Sequence, residues 1–84
     1  MTIFEKTGVE VKHYIIERIK QVDTTDYNEI KALSNLIYSY RYLDFSIGSD
    51  AILEEVCQLI HRCIKEQKGS PDIDKAISEL LDIF

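Results

Sequence analysis

The chain has 84 residues, 45% of them hydrophobic, and carries 15 acidic against 10 basic side chains, for a net charge of −5. That length makes one domain, residues 1–84, which buries only about two-thirds of its unfolded surface, so its stability is modest and a partner would add to it. The acidic balance argues against a nucleic-acid duplex binder, which needs a basic stripe facing the phosphates, and equally against adsorption to anionic lipid.

The glycines Gly8, Gly48 and Gly69 and the single proline, Pro71, fall at or near breaks in an otherwise helical apolar pattern. The first helix is expected over about residues 9–22, opened by the capping box Thr7-Gly8-Val9-Glu10. Thr2-Ile3-Phe4-Glu5 has the same form and would start the helix near Ile3 with Gly8 inside it. Val11, Ile15, Ile16, Ile19 and Val22 make its apolar face. Asp23-Thr24-Thr25-Asp26 then interrupts the pattern, and Asp26 with Glu29 offers a box for a second helix over 27–45, closed by Gly48.

Ser49-Asp50 caps a third helix over 51–67. Its apolar residues Ile52, Leu53, Val56, Cys57, Leu59, Ile60, Cys63 and Ile64 cover an arc of about 160°, broad enough to suit a central helix. Ser70-Pro71-Asp72 is the strongest local signal: a cap, a proline at the first helical position and an acid at the positive end of the dipole. The fourth helix spans 71–83, with Ile73, Ala76, Ile77, Leu80, Leu81 and Phe84 on one side. Four helices on short connections predict an all-α, antiparallel four-helix bundle.

No part of the chain offers catalytic machinery. There is no glycine-rich phosphate loop and no Gly-x-Ser-x-Gly elbow, and the pairs Glu54/Glu55 and Asp72/Asp74 read as solvated or dipole-facing carboxylates. Cys57 and His61 stand four residues apart and could reach one metal, but zinc needs three or four ligands. The sequence therefore predicts no metal and no cofactor. Cys57 and Cys63 lie about 9 Å apart along one helix, too far for a disulfide, and are expected as reduced, packed apolar groups. The opening residues show no secretory leader and no apolar run approaches a membrane span, so a cytoplasmic protein is expected.

One segment exceeds what packing needs. Residues 38–45 hold three of the five tyrosines and one of the three phenylalanines. Wound at about 100° per residue, Ile30, Leu33, Leu36, Ile37, Tyr40, Leu43 and Ile47 share one half of the second helix. Tyr38, Tyr42 and Phe45 stack on the other half, with Lys31, Asn35 and Arg41 beside or within that stripe. Aromatics with arginine nearby are the composition of interface hot spots. Three readings are open: core, if Phe4 or the first helix wraps over the stripe; a homodimer interface; or a surface for a different protein. Acidity grows toward the last helix, where Asp72, Asp74, Glu79 and Asp82 outnumber Lys75, and such charge would steer a basic partner.

The run Ser34-Asn35-Leu36-Ile37-Tyr38-Ser39-Tyr40 resembles the Ser-Asp-Leu-Ile-Tyr-Tyr segment of the colicin nuclease immunity proteins, small acidic helical proteins with which bacteria neutralise their own toxins. In that family the aspartate and both tyrosines touch the toxin. The resemblance implicates Asn35 and Tyr38, with Ser39 in place of the second tyrosine and Tyr40 one residue later. Asn35 lacks the family's charge, and the run lies in a long helix where the family has a short one. The expected function is a non-enzymatic protein-binding module, an immunity-type inhibitor that blocks a basic, nuclease-like toxin domain. Its contact residues would be Asn35, Tyr38, Arg41, Tyr42 and Phe45, with Asp72 and Asp74 guiding the encounter. The alternative is a small dimeric helical regulator acting through protein–protein contacts.

Overall fold

The computed structural model describes residues 2–42 and 49–84, and in them four helices: α1 (Ile3–Gln21), α2 (Tyr27–Tyr42), α3 (Ser49–Glu66) and α4 (Pro71–Leu81). Of the two competing capping boxes, the earlier one starts α1. Thr2 Oγ1 accepts the Glu5 backbone N–H at 3.1 Å, while Thr7 sits inside the helix and donates its hydroxyl to the Ile3 carbonyl at 2.7 Å. The expected start at Val9 is thus corrected to Ile3, and Gly8 is a buried position within α1.

The caps of α2 and α4 follow their chemistry, whereas α3 already begins at Ser49, the residue expected to cap it from outside. Asp26 Oδ1 accepts the Glu29 N–H at 3.0 Å, and Ser70 Oγ accepts the Ile73 N–H at 3.4 Å with Pro71 at the first position of α4. Gly69, with φ at +86°, takes the left-handed conformation that lets the chain leave α3 and turn straight into that cap. At its end α4 stops at Leu81 rather than 83, because the Ile83 and Phe84 N–H groups bond to the Leu80 and Leu81 carbonyls in tight turns. Leu43, Phe45, Ile47 and Gly48, expected to complete α2 and close it, lie outside the described residues.

The helices form a four-helix bundle in which each has two principal neighbours: α1 packs on α2 and α3, and α4 packs on α2 and α3. α1 with α2 and α3 with α4 are antiparallel hairpins. The hairpins stack with neighbours running in the same sense. Lys20, Val22 and Thr24 meet Glu55, Arg62 and Glu66 in ascending order, and Arg41 meets Ile83. The α3 helix is therefore a corner like the others and not the centre of the bundle.

Ile15, Ile19 and Val22 from α1 and its end, Ile30, Leu33, Ile37 and Tyr40 from α2, Ile52, Val56, Leu59 and Cys63 from α3, and Ile73, Ala76 and Leu80 from α4 form the buried core. Tyr40 spans it, donating its hydroxyl to the Gly8 carbonyl of α1 at 3.3 Å, and burial pushes its ionisation upward. The apolar arcs read from α3 and α4 are broader than what the core takes in: Cys57, Ile64, Leu81 and Phe84 are exposed. The expectation that both cysteines pack inside is corrected for Cys57. Cys63 is buried, and its thiol is pushed up by that burial. Among the described residues, no helix is long and apolar enough to cross a membrane.

Candidate protein-binding site

The α2 helix carries two different faces, as its periodicity requires. Ile30, Leu33, Ile37 and Tyr40 are sealed in the core, and half a turn away Tyr38 and Tyr42 are 58% and 79% exposed. Neither α1 nor Phe4, itself exposed, covers them. The core reading of this stripe is therefore overturned for its two described tyrosines. Phe45, the third member, lies outside the described residues.

Beside Tyr38 a shallow groove of about 250 Å³ opens between α2 and α4, lined by Ser34, Asn35, Tyr38, Glu79, Asp82 and Ile83. Its floor is made by two buried residues. Ser34 turns its hydroxyl back onto the Ile30 carbonyl at 2.9 Å, which satisfies the hydroxyl locally and keeps this position narrow. Ile83 belongs to the core cluster. The walls are polar and negative: Glu79 and Asp82 come one turn apart from α4, opposite the Asn35 amide and the Tyr38 ring. One carboxylate oxygen, Glu79 Oε2, is shielded from solvent and has no hydrogen-bond partner. A buried acceptor left without a donor costs about 1–3 kcal/mol, so a donor that reached this oxygen would be favoured.

The structure places the other expected contact residues differently. Arg41 is not free to face a partner with its whole guanidinium, because it donates to the Ile83 carbonyl and so pins the end of α4 to α2. Asp72 and Asp74 are exposed in the first turn of α4, where they meet the positive end of the helix dipole. Ten residues of chain put Asp72 about 15 Å along the axis from Asp82. They belong to the opposite end of the bundle from Tyr42. The acids that do adjoin Tyr38 are Glu79 and Asp82. Sequence patterning shows them on α4 but not at what height α4 stands against α2, which the Arg41–Ile83 bond and the tight C-terminal turn determine.

Among the described residues, no three His, Cys, Asp or Glu side chains gather where a metal could sit, and His61 and Cys57 are both exposed on α3. Tyr14 and Arg18 form a local pair on α1, with the guanidinium 5.6 Å from the ring centre and bonded to the hydroxyl at 2.7 Å. Arg18 also bridges to Glu29 at 3.0 Å, so that pair is committed to joining α1 to α2. Comparison with known protein families, curated proteins and solved structures finds no match to this chain.

Proposed function

We propose that the chain is a non-enzymatic binding protein of the immunity type, which blocks a basic, nuclease-like toxin domain with the α2/α4 face. The observation that carries this reading is the pairing of two solvent-open tyrosines with an acidic groove in which one carboxylate oxygen is unpartnered. Tyr38 and Tyr42 supply rigid aromatic area of the kind that dominates interface energies. Glu79 and Asp82 supply a seat for a lysine or arginine of the partner, with Asn35 positioned to bond the same group and the Tyr38 ring able to lie against it. Such a contact inhibits by covering the surface with which a nuclease holds its anionic substrate, and it needs no bond-making chemistry. The inhibitor would act in the cytoplasm, where its toxin would strike.

The test is co-expression with the protein encoded beside this chain in its native genome. That protein alone is expected to arrest growth, and the intact chain to restore it. Tyr38→Ala and Tyr42→Ala are expected to weaken binding of the purified pair by about 2 kcal/mol each, and Glu79→Gln to weaken it while leaving the helical circular dichroism unchanged. Growth unaffected by the neighbouring protein, or protection indifferent to all three substitutions, would remove this reading.

A further inference from the structure

The groove between α3 and α4 carries a second apolar face that the site above does not use. Along α3, Leu53, Cys57, Ile60 and Ile64 follow one another in steps of four, three and four residues, the spacing of a seam between two packed helices. Along α4, Ile77 and Leu81 stand four residues apart, and Phe84 follows in the turn past the helix end. The hairpin aligns the two rows: Ile60 and Ile77 each lie six residues from the helix ends at the turn. Leu53, Ile60 and Ile77 are only half-buried against the core, while Ile64, Leu81 and Phe84 are 49%, 55% and 57% exposed.

The charges beside this face say what covers it. Three charged residues of α3 are turned toward α1: Glu55 toward Lys20 at 4.0 Å, Arg62 onto the Ile19 carbonyl at 2.7 Å and Glu66 onto the Thr24 hydroxyl at 2.8 Å. The three that remain on the outer edge of α3, Asp50, Glu54 and Lys65, and Lys68 just past its end are exposed and sorted by sign, the two acids at one end and the two lysines at the other. Asp74 of α4 shares the groove end with Lys68 and leaves that end the basic one. Helix dipoles favour acids early and bases late, but they do not call for an apolar seam between the two. A surface that is apolar in the middle, negative at one end and positive at the other is complementary to itself when reversed.

We propose that the α3/α4 face binds a second copy of this chain, the two α3 helices packing antiparallel about a two-fold axis that crosses them near Gln58 and Leu59. Leu53 of one copy then meets Ile64 of the other, Cys57 meets Ile60, and each Asp50/Glu54 end lies against a Lys65/Lys68 end. Parallel pairing would set like charges together. Glu79 and Ile83 sit on the α2 flank of α4, so the dimer leaves both α2/α4 grooves open. It does not depend on the inhibitor reading, and it supplies the assembly that the alternative, a dimeric regulator, requires.

Sedimentation equilibrium of the intact chain at low salt tests this. The wild type is expected at twice the 9.8 kDa chain mass. Asp50→Lys with Glu54→Lys, and separately Lys65→Glu with Lys68→Glu, are expected to weaken self-association about tenfold or more, because each variant then carries one sign along the whole edge. Mixing the two variants is expected to restore the dimer, since each end again meets its opposite. Circular dichroism checks that both variants fold, which their exposed positions favour. A wild type that stays at the monomer mass, a dimer that survives both reversals, or a mixture that stays monomeric would overturn the proposal. Survival of a dimer in the reversals combined with its loss in Tyr42→Ala would place self-association on α2 instead.

Discussion

The α1/α3 seam and the α2/α4 seam are both made by two helices running in the same sense, yet their polar groups end in opposite ways. At the α1/α3 seam they close on the chain itself. Arg62 reaches across to the Ile19 and Val22 carbonyls at 2.7 and 3.4 Å, where the last turn of α1 has no N–H left to satisfy them, and Glu66 takes the hydroxyl of the buried Thr24. At the α2/α4 seam Arg41 closes one end, but Glu79 keeps an oxygen with nothing to accept, and Tyr38 and Tyr42 stand in water. Groups that complete each other inside the chain hold the bundle together. Groups left incomplete beside exposed aromatic area are what a partner can complete.

The contrast can be broken by substitution. The largest stability loss is expected from the shared core beneath both seams: Leu59→Ala, at a fully buried site, should cost about 3–4 kcal/mol in urea unfolding, whereas the half-buried Ile60 next to it should cost about half of that. On the open seam, Tyr42→Ala should lower partner affinity by about 2 kcal/mol and change unfolding by less than about 0.5 kcal/mol; a core-sized loss would mean the ring is structural after all. On the closed seam, Arg62→Ala should cost about 1.5 kcal/mol by leaving two carbonyls of α1 without their charged donor, and partner binding should not respond. Smaller again is the turn between α1 and α2. The Thr25 N–H and hydroxyl hold the Asp23 carboxyl below its ordinary range, so this stabilisation is present at neutral pH and vanishes as the pH falls through the lowered value. Asp23→Asn should therefore be slightly less stable than wild type at pH 7 and indistinguishable from it once the pH lies below the lowered value.

Periodicity and caps made the four helices legible, because Asp26, Ser70 and Pro71 act within a single turn of backbone. The start of α1 was ambiguous for the same reason: Thr2 and Thr7 offer identical local chemistry, and the choice goes to the box that lets Gly8 lie under Tyr40, a contact 32 residues away. The two-sided character of α2 was also readable, since angle around one helix is a local property. What could not be read was height. Nothing in the residues of α4 says that Glu79 and Asp82, and not Asp72 and Asp74, stand level with Tyr38; that follows from how two hairpins slide against each other. The broad apolar arc of α3 was visible as well, but its division into a buried half and an exposed half depends on which neighbours the fold supplies.

Glu79 gives the sharpest version of the contrast, because its expected effect on stability is the smallest and its expected effect on binding is not. Converting it to glutamine keeps the shape, one carbonyl oxygen and the packing of the stem, removes the charge and exchanges the second acceptor oxygen for an NH2 donor. If the shielded oxygen serves nothing within the chain, the neutral amide relieves a desolvated carboxylate, and stability should stay unchanged or rise by up to about 0.5 kcal/mol. The same substitution takes away the charge that a lysine or arginine of the partner would meet in the groove, so affinity should fall and its dependence on salt should flatten. A stability loss above about 1 kcal/mol would reverse the assignment. It would mean that Glu79 is tied into the bundle as Arg62 is, and that both seams are structural.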